Sequence, residues 1–446
     1  MKWLSALTLA ASGTAWAQGC QVGWSGWPGI RQPTATVDCF LEHDDGSGLA
    51  LYAGGNFIGG GYDARILRWT GTVWEAFAPT LSSGVICMAP LHGQLYVGGT
   101  FIHAGSLHVD CIARWDGAGW SALGQGIWGG PRQVNDMLTF DDGTGPALYV
   151  AGQLPMAGGV LAGGIARWTG TIWQNVGQPN PSNSTWVLAL GAFDDGSGMR
   201  LYAGGQFTSL GGVAANGVAR WDGTSWEAVG TAIIPSPYGI MSFCAYPQDP
   251  SGPRLYAGGD FLLAGATGVR GIARLNGAEW EAVGTGSAAS TGGKIVECMR
   301  VFDDGSGGQL YVGGSFTHFN GVPSRGIARW NGRAWSTPGG PLDGNVYALG
   351  TSGALPGRSL AVGGTFARAG GDPVPHGLAL WNVCQCYADC DQSGASPALN
   401  VADFSCFLQR FAVYDFYANC DGSTQYPVMR VEDFACFLTR YAAGCP

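Results

Sequence analysis

The sequence predicts an all-β fold: a β-propeller of seven blades with four antiparallel strands in each, closed by the N-terminal strand and followed by a small α-helical domain. Three observations carry that expectation. A phrase of the type Leu-Tyr-Val-Gly-Gly recurs seven times, at spacings of 44, 53, 53, 54, 55 and 50 residues. Glycine accounts for 77 of the 446 residues while charged residues are only 12%, against roughly 7% and 25% in ordinary globular chains. Aromatic residues reach 12%, which excludes disorder, and the glycines lack the strict period that collagen requires. Many short strands joined by tight turns fit all three.

Residues 1–17 read as a secretory signal peptide. Lys2 supplies the positive start, an apolar run follows, and Ala15-Trp16-Ala17 forms a small-x-small cleavage site. No later apolar stretch reaches the length of about 18 residues needed to span a bilayer, so no transmembrane segment is expected. The net charge of −9, the pI near 5.0 and the confinement of lysine to Lys2 and Lys294 argue against a nucleic-acid binder.

Residues 18–383 hold the repeats. The phrase begins at Leu51, Leu95, Leu148, Leu201, Leu255, Leu310 and Leu360. Before each stands an apolar strand, such as Val187-Leu-Ala-Leu, and after each a strand such as ILRW or IARW. Paired tryptophans five residues apart, Trp69/Trp74 and Trp168/Trp173 among them, flank T-G or D/N-G, the signal for a tight hairpin into a fourth strand. One such unit cannot bury both faces alone, so units must stack, and radial stacking gives a propeller. The seventh unit stops at Trp381 without its hairpin or outer strand. Gly23-Trp24-Ser25-Gly26-Trp27 is expected to supply that strand, from residues near 22–30. A disulfide from Cys20 to Cys384 or Cys386 could fasten the closure.

Several residues in the repeats invite a functional reading beside a plainer one. Arg68, Arg114, Arg167, Arg220, Arg274 and Arg329 recur once per unit. They suit a ring for anionic glycans or, on a third strand away from the axis, contacts with aromatics and turn carboxylates; the second reading is preferred. The pairs Asp44/Asp45, Asp141/Asp142, Asp194/Asp195 and Asp303/Asp304 could bind calcium, but D-D-G-S-G is also good turn chemistry. Phe319, Trp128, Trp186 and Tyr238 are loop aromatics suited to stacking on sugar rings. His103 and His108 share a loop at a spacing compatible with a metal. Cys39, Cys87 and Cys298 occupy one slot of the first strand, where Ala189, Ser242 and Ala348 stand in other units, so the slot wants a small side chain. No G-x-S-x-G, H-E-x-x-H, P-loop or G-x-G-x-x-G leading into a helix appears.

A paired glycine closing the second strand, then an aromatic strand, then a Trp resemble the Kelch repeat, over roughly residues 18–383. The third unit departs from it, with Ala151-Gly152 for Gly-Gly and Leu154 for Phe.

Residues 384–446 form a separate module carrying seven of the 13 cysteines, a density that in an exported chain signals disulfides more than zinc. It is an internal duplication: DCDQSG…LNVADFSCFLQRFA and NCDGST…MRVEDFACFLTRYA align at an offset of 30. Apolar residues at 401, 404, 407, 408 and 411 have helical spacing. An oxygen-rich loop feeding a helix has EF-hand-like calcium chemistry. The two D-F-x-C-F-L units resemble a dockerin of the cysteine-rich type ending in Gly-Cys-Pro, over about residues 386–446. The resemblance implies calcium ligands Asp389, Asp391, Ser393, Asn400 (through water) and Asp403 in the first loop. In the second it implies Asn419, Asp421, Ser423 and Asp433, a weaker site because Thr424 and Arg430 stand where the first loop has Gly394 and Asn400. A disulfide-held helix pair without an ion is the plainer reading of the same residues.

The expected function is therefore that of a secreted or cell-surface binding protein. Its propeller would present a ligand-binding face, to a polysaccharide or a protein, and its tail would dock through calcium to an extracellular scaffold of cohesin-like type. A carbohydrate-active enzyme on the same tether is the alternative, and a self-associating coat protein a third.

Overall fold

The computed structural model describes residues 23–383 apart from 28–33, 60–61, 179–184, 231–232, 264–269, 286, 290–295, 305–306, 354, 356–357 and 375–376. The signal peptide, Cys20, Cys384, Cys386 and every calcium ligand expected from Asp389 to Asp433 lie outside the described residues, as does the side chain of Tyr238.

Among the described residues every regular element is a β-strand, and seven sheets are four-stranded. In the first, Thr34–Asp44, Leu49–Gly59, Tyr62–Trp69 and Trp74–Ala76 lie side by side in chain order, each antiparallel to the last. The seventh is completed from the other end of the chain. Gly23–Gly26 pairs antiparallel with Leu378–Val383, setting Trp24 opposite Trp381. The first strand of each sheet packs against the first strand of the next, and that of the seventh returns to that of the first. This is β-propeller topology.

The apolar residues lie between sheets. Each of seven core clusters draws on two neighbouring sheets; one joins Val37, Leu51 and Phe57 of the first to Ala348, Ala361 and Leu378 of the seventh. The second strands are therefore buried on both faces, which is why Leu-Tyr-Val-Gly-Gly shows no polar alternation. The glycines answer to contact distance. A side chain at Gly55 would collide with the Thr36 carbonyl, and one at Gly152 with the Gln133 carbonyl. The preceding glycine, Gly54 or Gly98, leaves room for the Cys39 or Cys87 thiol and for Val85 or Val134 of the next sheet.

Two repeated side-chain devices tie the frame together. In the third, fourth and fifth sheets the outer tryptophan donates its indole N–H to the preceding sheet: Trp173 to the Leu123 carbonyl at 2.8 Å, Trp226 to Val176 at 2.9 Å and Trp280 to Val229 at 3.1 Å. At the opposite strand ends, the second Asp of each turn accepts the phenol of the repeat tyrosine, Tyr52 to Asp45 at 2.8 Å and Tyr256 to Asp249 at 2.5 Å. The same carboxylates meet the repeat arginines in Arg68–Asp45, Arg167–Asp142, Arg220–Asp195, Arg274–Asp249 and Arg329–Asp304. These five arginines are thus framework residues. The first Asp of the pair closes the turn, Asp44 accepting from the Gly46 and Gly48 amides, with both glycines at positive φ. Asp249 plays the part of the second Asp inside Gln-Asp-Pro-Ser-Gly, which the D-D-G-S-G pattern does not reveal.

One expectation fails. Phe319 is not a surface aromatic: it is fully buried, with its ring 4.9 Å from Phe316 and 4.4 Å from Trp335. The short hairpin Phe316–Phe319/Val322–Pro323 folds back over its own sheet, and Phe319 is the apolar residue that fastens it there.

Candidate ligand-binding channel

The first strands surround a cavity of about 820 Å³, within the range of roughly 300–1,000 Å³ usual for small-ligand sites. Its construction follows from one irregularity repeated in all seven strands. The pairing with the second strand skips a residue between Val37/Cys39, Val85/Cys87, Val134/Asp136 and Val187/Ala189, and likewise between Ile240/Ser242, Val296/Cys298 and Val346/Ala348. A β-bulge re-aims the extra side chain. Here every skipped residue is half-buried and lines the cavity. Its neighbours do not vary in kind: a buried Val or Ile precedes it and, in six strands, a small residue follows. The skipped residues do vary. Asp38 and Glu297 are acidic, Asn135 an amide, Tyr347 a phenol, and Ile86, Leu188 and Met241 aliphatic.

The third sheet breaks the small-residue rule. Its slot holds Asp136, paired opposite Ala151, the one residue that displaces a first glycine. In three of the other strands a thiol lies over that glycine, Cys39 on Gly54, Cys87 on Gly98 and Cys298 on Gly313. The Ala151 methyl takes up this space, and the Asp136 carboxylate instead accepts the Leu190 amide of the fourth sheet at 2.7 Å and the Met137 amide at 2.8 Å. Withdrawal from bulk water pushes its pKa up to about 6, against the pull of those two amides. Burial also raises the Cys39, Cys87 and Cys298 thiols, so all three stay protonated and unreactive near neutral pH.

Amides gather where the third and fourth sheets meet the cavity. Gln133 pairs across its sheet with Gln153, and Trp186 with Gln206. Asn135 joins the two sheets, accepting from Gln133 Nε2 at 2.6 Å and donating to the Val187 carbonyl at 3.2 Å. Trp186 is 39% exposed. Among the described residues no Lys, Arg or His lines the cavity. Nor, among them, do three His, Cys, Asp or Glu side chains converge in a way that could hold a metal.

Of the residues singled out in the sequence, Trp186 reaches the channel and Trp128 stays exposed beside Met156 on a neighbouring short hairpin. His103 and His108 do come together, with rings 5.2 Å apart. His108 turns to Asp110 at 2.9 Å, which Arg132 also holds at 2.9 Å. The five described cysteines are unpaired, so disulfides are a matter for residues outside the described span. Asp136 and the bulge set were not singled out. An acid in a Cys/Ala/Ser slot, beside the single broken Gly-Gly, was the available signal.

No protein-family model matches the sequence, and no curated protein matches it. Among solved structures, the chain is similar to the extracellular domain of a putative one component system from B. thetaiotaomicron, at 11% identity and a TM-score of 0.49, covering 84% of this chain and 42% of that one. It is also similar to a GH74 xyloglucanase from Xanthomonas campestris, at 12% identity and a TM-score of 0.42, over 79% of this chain and 44% of that one. YCF48 from Cyanidioschyzon merolae matches at 14% identity and a TM-score of 0.42, over 80% of this chain and 98% of that one. The chain thus spans less than half the length of the first two. The propeller fold rests on the strand topology described above. Among the described residues no helix is long and apolar enough to cross a membrane.

Proposed function

We propose that the chain is a secreted binding protein: a complete, Kelch-like, seven-bladed propeller that takes its ligand at the central channel and is tethered by its C-terminal module. The shared bulge carries this reading. A constant frame that turns one variable side chain per sheet into a common cavity is the arrangement of a binding site on a rigid scaffold. Among the described lining residues the thiols are protonated and no histidine stands beside them, so no thiol–imidazole nucleophile is assembled there. The duplicated acidic loops support calcium binding by residues 384–446, with the first loop, from Asp389 to Asp403, the stronger. Docking of that module to an extracellular scaffold protein follows from its dockerin-like pattern.

The test is thermal denaturation of the full secreted chain against a mixed library of saccharides, amines, peptides and metabolites. Leu188→Trp/Met241→Trp, which fills the cavity, serves as the comparison. Ligands that raise the Tm of the wild type and not of the filled variant place binding in the channel. Ligands that stabilise both equally place it elsewhere and overturn the reading. Calcium and chelator added to the same chain test the tail, where calcium is expected to raise a transition separate from that of the propeller.

A further inference from the structure

We infer that the ligand of the channel is an uncharged saccharide, and that its terminal unit docks against the amide crescent of the third and fourth sheets beside Trp186. This rests on the reading of the channel as a binding site and names the class of ligand.

The argument begins with what a sugar offers: hydroxyls that both donate and accept, and a ring face of C–H groups. Carboxamides match the first because each carries donors and an acceptor. Gln153 and Gln206 line the cavity, and their side-chain amides have no partner among the described residues. Gln133 gives one N–H to Asn135, and its carbonyl oxygen remains to accept. An indole matches the second requirement, because a flat apolar ring covers C–H groups while its N–H stays available. Trp186 lines the cavity, stays exposed, and stands directly across its sheet from Gln206. Stacking and hydrogen bonding would therefore fall on one sugar unit.

The far wall adds an independent pointer. In the cycle of sheets the sixth and seventh stand across from the third and fourth. Ser315 of the sixth lines the cavity while only 6% exposed, and its hydroxyl has no hydrogen-bond partner among the described residues. A buried hydroxyl without a partner is unfavourable, and a ligand hydroxyl would satisfy it. Asn345 and Tyr347 of the seventh sheet line the same wall. The lack of a lining cation among the described residues removes the usual anchor for uronic, sulfated or sialylated sugars. The carboxylates of Asp38, Asp136 and Glu297 oppose them further.

The experiment is calorimetry of the full chain with uncharged gluco-, xylo-, manno- and galacto-oligosaccharides, using oligogalacturonate as the anionic comparator of similar size. The expected result is binding of at least one uncharged series, with oligogalacturonate weaker by about tenfold or more. Trp186→Ala should weaken binding about tenfold, as should Gln153→Ala/Gln206→Ala. Met199→Ala, an exposed residue on a turn hairpin, should leave it unchanged and report folding. Equal or tighter binding of oligogalacturonate, or binding indifferent to Trp186 and both glutamines, overturns the inference. Channel-dependent stabilisation by a non-saccharide alone also overturns it while leaving the binding reading intact. If no library member binds in the channel, both fall.

Discussion

Asp136 is the residue at which this chain departs from its own repeat. Its carboxyl has a pKa near 6 in the fold and about 3.9 in an unfolded chain, so between those values the folded state holds the extra proton. Stability from this group is complete below about pH 4 and is lost as pH rises through about 6. The second Asp of four turns works the other way: Asp45, Asp142, Asp195 and Asp249 have pKa values lowered by hydroxyl, amide and arginine partners that outweigh their burial. Their contribution fades only below about pH 4. Burial lowers the His43 pKa and opposes Asp136 in the same window, so the comparison must be with a variant. Urea denaturation of wild type and Asp136→Asn should show the wild type losing stability relative to the variant between about pH 4 and pH 6. Parallel profiles would mean that Asp136 does not titrate there. Asp249→Ala should cost roughly 1–3 kcal/mol by the same method, because the Tyr256 hydroxyl and the Arg274 guanidinium lose a shared acceptor.

At the scale of the strand, two glycines with one spelling do different work. The second glycine lets the backbone of its strand pass close to the carbonyl before the bulge, as Gly152 does at Gln133. The first makes room for the slot residue and the neighbouring valine. Gly152→Ala should therefore abolish folding or lower Tm severely. Ala151→Gly should cost only about 0.5–1 kcal/mol, both measured by circular dichroism melts. The strands themselves were legible, because tight turns, paired tryptophans and a repeated apolar phrase are local signals. The bulge was not, since a skipped residue is defined only against the partner strand. Trp186 was recognisable as a loop aromatic suited to a sugar, yet Phe319 looked the same and is buried. Nothing in either residue's own neighbourhood states which way its hairpin folds.

For the whole molecule, closure is the controlling event. Without Gly23–Gly26 the strand Leu378–Val383 becomes an open edge, and Trp24 leaves the Trp381 ring, whose centroid lies 5.2 Å away. Trp27, fully buried, would also leave the rings of Trp69 and Trp74, each 4.9 Å away. A chain beginning at residue 34 should accumulate as aggregate or melt far below the full protein, because an exposed edge strand pairs with other chains. Size-exclusion chromatography and calorimetry would report it, and a monomer of unchanged Tm would show the ring stable while open. The sequence by itself determined the repeat, the four strands of each unit and the terminus that supplies the last strand, because turn chemistry and apolar spacing act over a few residues. Only the tertiary structure decided which side chains face the channel, that the arginines serve the frame, and that Asp136 reaches a neighbouring sheet. The arginine ties cross 25 residues within one sheet and the Asp136 bond crosses 54 to the next, distances over which turn chemistry and apolar spacing carry no information.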